Sequence, residues 1–153
     1  MRGAYKVLAS VLAVQIVVQA AAMVWAIAGL YNFVDGGGTF DKSLMEEGSE
    51  SPFPEVAGFA VHFMNGALIV VVALVLLIVS FFAKVPKGVP AAGAIFGLAL
   101  LQFALGIAGH SLPFAGMLHG VNALLLFGAT LHATRLPGKA TTVDQTHAAP
   151  ARV

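Results

Sequence analysis

The sequence predicts an all-α fold: a four-helix transmembrane bundle built from a duplicated helical hairpin. Three observations lead there. Of 153 residues, 59% are hydrophobic and 10% charged, with a mean hydropathy of +0.91, outside the range of water-soluble domains. No Asp, Glu, Lys or Arg occurs between Lys6 and Asp35, between Glu55 and Lys84, or between Lys87 and Arg135. Finally, a short pattern with His, two residues and Asn occurs twice, as "HFMNGAL" and "HGVNALL".

A helix rises 1.5 Å per residue, so roughly 20 apolar residues cross the hydrocarbon core. The first uncharged stretch predicts a helix over 7–30 and the second one over 56–83. The third holds two, because "GIAGHSLPFAG" gathers Gly, His, Ser and Pro, and Pro113 disfavours helical geometry in the residue before it. Those helices are expected over 89–109 and 113–134, making 1–135 one transmembrane domain. The apolar run after "MRGAYK" is longer than a signal-peptide core and lacks a clear cleavage site, so it reads as an uncleaved span. The acidic segment 31–55, Gly-rich in its middle, reads as an outer loop over the mouth of the bundle. The polar segment 136–153 reads as a disordered tail.

Charge sets the expected orientation, because Lys and Arg stay on the cytoplasmic side during insertion. Arg2, Lys6, Lys84, Lys87, Arg135, Lys139 and Arg152 fall on one side of the four-helix arrangement. Asp35, Asp41, Glu46, Glu47, Glu50 and Glu55 face Lys42 alone on the other. The expectation is a multi-pass protein of the plasma (inner) membrane, with the lipid bilayer as its surroundings and both termini cytoplasmic. No basic cluster is large enough for nucleic acid, and no nucleotide loop or hydrolase triad stands in recognisable context. The absence of cysteine excludes disulfides, thiolate-bound zinc, cysteine-ligated iron–sulfur clusters and covalent haem attachment.

The repeat locates the unusual polar residues. His62 lies seven residues past Glu55 and His119 six past Pro113, so each is about 10 Å along its helix from the outer boundary. Gln15 and Gln102 form a weaker echo in helices one and three, and Gln15, Gln19 and Gln102 each need an intramembrane partner. Parallel repeats are related by an axis along the membrane normal, which makes helices two and four facing equivalents. Residues three and four apart share a stripe. Around His62 that stripe holds Gly58, Phe59, Asn65 and Gly66; around His119 it holds Ala115, Gly116, Asn122 and Ala123.

Small residues beside each imidazole admit a flat ligand. A b-type haem needs two axial ligands from opposite sides, whereas zinc needs three or four and no third ligand stands at that depth. The metal ligands expected are His62 and His119, with Gly58, Gly66, Gly116, Asn65 and Asn122 beside one non-covalent haem b. The haem carboxylates would point outward, toward Ser111 and His110. The other reading of the histidines is hydrogen-bonding glue within a bundle. Gly93 and Gly97 suit close helix packing, and Trp25, Tyr31 and Phe33 suit an interfacial aromatic belt. His110, His132 and His147 carry weaker signals, and His132 finds no second histidine on helix two.

Four helices with a histidine early in helix two and another early in helix four resemble one half of haem A synthase, and more loosely the small membrane cytochromes b. The likeness covers residues 7 to 134 and implies axial-ligand positions at His62 and His119. The chain departs from that family in having one four-helix unit rather than two. Phe59 stands where the family commonly has an acidic residue, and the outer-loop cysteine pair is missing. The function expected is single-electron transfer by one bis-histidine haem near the outer leaflet, with a redox partner or quinone. The alternative is a non-haem structural or accessory membrane protein of a larger complex.

Overall fold

The computed structural model of the chain describes residues 1–41 and 51–147, with side chains through Gly138. They form four long helices: α1 (Arg2–Asp35), α2 (Ala57–Ala83), α3 (Gly88–Gly109) and α4 (Pro113–His147). All four are long and apolar enough to cross a bilayer, which makes this an all-α, multi-pass membrane protein.

Helices α2 and α3 begin and end within a residue of the expected bounds. The outer two are longer. With 34 and 35 residues, α1 and α4 span about 50 Å each, well beyond 30 Å of hydrocarbon. At the start of α1, Arg2 and Lys6 are exposed while Tyr5 between them is fully buried, so one helical turn serves both water and core. At the other end, α4 does not stop at 134. Pro-Gly is ordinarily a helix terminator, yet Leu136 and Pro137 are buried, and Leu136 belongs to the core that carries the helix past them. The tail expected to be disordered from 136 is thus helical to His147, and its last six residues lie outside the described ones. Part of the outer loop, 42–50, also lies outside them.

The chain divides into two compact units. One contains Met1–Ile16 and the described residues from Leu68 onward, and draws on all four helices. Its core joins Tyr5, Ala9 and Leu12 of α1, Ile69, Ala73 and Leu76 of α2, Ala92, Ile95 and Ala99 of α3, and Leu126, Ala133 and Leu136 of α4. Small residues alternate with large ones along each stripe, which lets helices approach closely where lipid supplies no hydrophobic drive. The four-residue link from α2 to α3 is tight: Lys84 and Lys87 both adopt left-handed backbone, with φ of 49° and 59°. Tyr5 crosses to α3, its hydroxyl donating to the Gly88 carbonyl at 3.2 Å.

The second unit is Val17–Ala67, the remaining halves of α1 and α2 with their connection. Gly37, at φ +92°, turns the chain at the end of α1. The chain re-enters through a 3₁₀ turn, Pro54–Val56, which leads directly into α2. Buried Phe53 meets Phe33 with ring centroids 5.4 Å apart, so Phe33 closes the loop onto α1, whereas Trp25 and Tyr31 are exposed as belt residues should be. Gly29 makes room for Glu55; a side chain there would collide with its Cβ and Cγ.

Candidate functional site

Each histidine is held by the helix that precedes its own. In the first hairpin, Nδ1 of His62 on α2 lies 3.0 Å from the backbone carbonyl of Gln19 on α1. A carbonyl has no proton to give, so Nδ1 must donate, and a neutral imidazole protonated there carries its lone pair on Nε2. The Gln19 side chain closes the circuit. Its Nε2 donates to the His62 carbonyl at 2.6 Å, and its Oε1 accepts from Asn65 Nδ2 at 2.7 Å.

The second hairpin repeats this chemistry. His119 Nδ1 on α4 donates to the Gln102 carbonyl of α3 at 2.9 Å. Asn122 Nδ2 donates to Gln102 Oε1 at 2.7 Å and to the Leu98 carbonyl at 3.0 Å. The repeated His-x-x-Asn therefore has a matching glutamine on the preceding helix in both halves. That partner is Gln19, not Gln15 as the sequence echo had it, and a shift of 83 residues carries Gln19 to Gln102.

The same register explains the core. It pairs Ala9 with Ala92 and Leu12 with Ile95, while a shift of 57 pairs Ile69 with Leu126, Ala73 with Thr130 and Leu76 with Ala133. Every one of these residues is buried. Tyr5 and Gly88, which hydrogen-bond to one another, are also 83 residues apart. Equivalent positions can touch only beside the axis relating two repeats, and there a large residue must meet a small one. Tyr5 against Gly88 has that form.

The glycines expected beside a cofactor each have a neighbour inside their own hairpin. A Cβ at Gly58 would lie 2.5 Å from the Ala22 carbonyl and 2.9 Å from Ala26 Cβ, so Gly58 is where α2 crosses α1. Gly109 and Gly116 do the same for α3 and α4: a Cβ on Gly109 would reach Gly116 Cα at 3.1 Å. At Gly66 it would come 3.0 Å from Gln19 Nε2, and at Gly106 3.1 Å from His119 Cε1. Sequence reasoning missed Gly106, although it stands one turn after Gln102. The reverse holds for Gly93 and Gly97, expected at a close helix contact: a Cβ at either meets nothing within 4 Å among the described residues.

Half-buried His62 and His119 contrast with His110 and His132, which are exposed, as is Ser111. His147 has no described side chain. Among the described residues no group of three or more His, Cys, Asp and Glu side chains assembles. The donor set of each hairpin is thus one imidazole whose Nδ1 proton is committed to a backbone carbonyl. A histidine that gives its Nδ1 proton to a carbonyl is one that can offer Nε2 to a metal, and the chemistry of each imidazole taken by itself fits that of a haem ligand.

The chain matches no protein-family model, no curated protein and no solved structure.

Proposed function

We propose that this chain is a b-type haem protein of the plasma membrane, with His62 and His119 as the two axial ligands of one non-covalent haem b and single-electron transfer as its role. The observation that carries the reading is the pair of equivalent imidazoles, one per hairpin, each with Nδ1 donating to the carbonyl of a glutamine on the preceding helix. Such a hydrogen bond fixes ring orientation and raises the basicity of Nε2. When bound, haem would supply a one-electron iron couple, and ligation by both histidines would favour electron transfer over oxygen binding. The chain's own residues hold the rings and keep Nε2 as the basic nitrogen. The orientation expected from charge, with both termini cytoplasmic, and the resemblance to half of a haem A synthase belong to the same proposal. So does a quinone or protein redox partner.

The second reading has its own support. The clasps tie α1 to α2 and α3 to α4 by side-chain hydrogen bonds, which is sufficient reason for polar residues in a bundle that assists a larger complex. Protein purified from haem-replete cells separates the two. The haem reading expects a reduced-minus-oxidised difference spectrum with one haem per chain, lost in His62→Ala and His119→Ala and kept in His132→Ala. Colourless protein overturns it, and equal haem loss in all three variants signals misfolding rather than ligation.

A further inference from the structure

The haem reading names the two ligands and leaves open what sets their chemistry. We propose that Gln19 and Gln102 are positioning residues, each holding the neighbouring imidazole as the Nδ1–H tautomer in one ring plane and thereby tuning the electron-donating strength of Nε2.

Three features support this assignment. A glutamine in the interior of a membrane helix must satisfy its amide without water. Gln19 does so entirely on α2, donating to the His62 carbonyl at 2.6 Å and accepting from Asn65 at 2.7 Å. These bonds bracket the ligand residue and lock the sliding register of the two helices. That register alone brings the Gln19 carbonyl to 3.0 Å from His62 Nδ1.

The same logic recurs at Gln102 by a different route. Asn122 holds its Oε1 at 2.7 Å and reaches one turn back to the Leu98 carbonyl, while the Gln102 carbonyl takes the His119 proton at 2.9 Å. Asn122 is 4% exposed, so loss of its partner would leave a polar group without water.

Glycines complete each clasp, on opposite helices. In the first hairpin Gly66 of α2 makes room for the Gln19 amide; in the second Gly106 of α3 makes room for the imidazole itself. A hydrogen bond from Nδ1 to a carbonyl makes Nε2 a stronger donor and favours ferric over ferrous iron. Loosening it must raise the midpoint potential.

The test rests on the haem reading only in part, because the tautomer can be read without haem. Gln19→Met and Gln102→Met keep length and apolar bulk while removing the amide. In haem-free protein with ¹⁵N-labelled histidine, NMR should show His62 and His119 as Nδ1–H tautomers. Gln19→Met should shift His62 toward a tautomer mixture and leave His119 unchanged, with the converse in Gln102→Met. In haem-loaded protein each variant should keep one haem per chain, move the midpoint potential upward and alter the low-spin EPR spectrum. Wild-type rings protonated on Nε2, or variants with unchanged tautomers, overturn the proposal. Altered tautomers in protein that binds no haem uphold the positioning role while overturning the haem reading. Unchanged potential and EPR in haem-loaded variants overturn the tuning of Nε2. Should either Met variant lose its helical circular dichroism, Gly66→Ala and Gly106→Ala make the same perturbation more gently, with the same spectra deciding.

Discussion

The two hairpins solve one problem with the same polar residues and different clearances. Both set a His-x-x-Asn on the second helix against a glutamine on the first, and both direct the Nδ1 proton at that glutamine's carbonyl. Yet the first hairpin crosses at Gly58 against Ala22 and Ala26, the second at Gly109 against Gly116. The first clears the glutamine amide with Gly66, the second clears the imidazole with Gly106. Repeats that diverge this way retain what is chemically indispensable and let packing drift. The hydrogen-bonded trio is the retained part, since each of its members would be costly in lipid without the others.

Substitutions at matched positions sharpen that contrast. The largest effect is expected where α2 crosses α1. Gly58→Ala drives a methyl against backbone and should cost about 2 kcal/mol, whereas Gly109→Ala meets its neighbour at 3.1 Å and should cost about 1 kcal/mol. Thermal or denaturant unfolding in micelles measures both, and equal losses would break the claimed asymmetry.

Next come the asparagines. Asn122→Leu removes two hydrogen bonds and Asn65→Leu the one to Gln19, so losses of about 1.5 and 1 kcal/mol are expected in the same assay. A smaller change is expected at the α2–α3 link. Lys87→Gly relieves left-handed backbone at φ 59° and should stabilise by roughly 0.5–1 kcal/mol after the entropy of glycine is subtracted. A clear loss of stability would mean that the lysine side chain contributes more than its backbone costs.

The smallest effects should be at Gly93 and Gly97, where alanine meets nothing within 4 Å and gains helix propensity. Unchanged or slightly raised stability is expected. A marked loss, or a change of oligomeric state on size exclusion, would show that this face of α3 carries a contact with another chain.

Much of this was legible in the residue order. The spans of α2 and α3 followed from uncharged runs, because backbone in lipid must satisfy itself and helices do so locally. His62, Asn65, His119 and Asn122 stood out because they recur at the same spacing. Gln19 was harder to pick. Gln15 and Gln19 are one helical turn apart on the same stripe, so nothing along α1 distinguishes them, and only the way α1 slides against α2 decides which meets the histidine. What the glycines accommodate depends on the same register. Absence of a side chain at Gly58, Gly66 and Gly116 announced that something comes close, and that something is the partner helix of each hairpin.

By itself, the sequence determined the number and type of elements, their confinement to a membrane and the His-x-x-Asn pair in each half. These depend on composition and on periodicity within single helices, which neighbours in the chain enforce. Tertiary structure alone decided that Gln19 and not Gln15 joins the clasp, that Gly106 underlies His119, and that Leu136 and Pro137 carry α4 onward to His147. Those outcomes turn on interhelical register, which side chains 43 or 17 residues apart in the chain set by meeting across a helix pair.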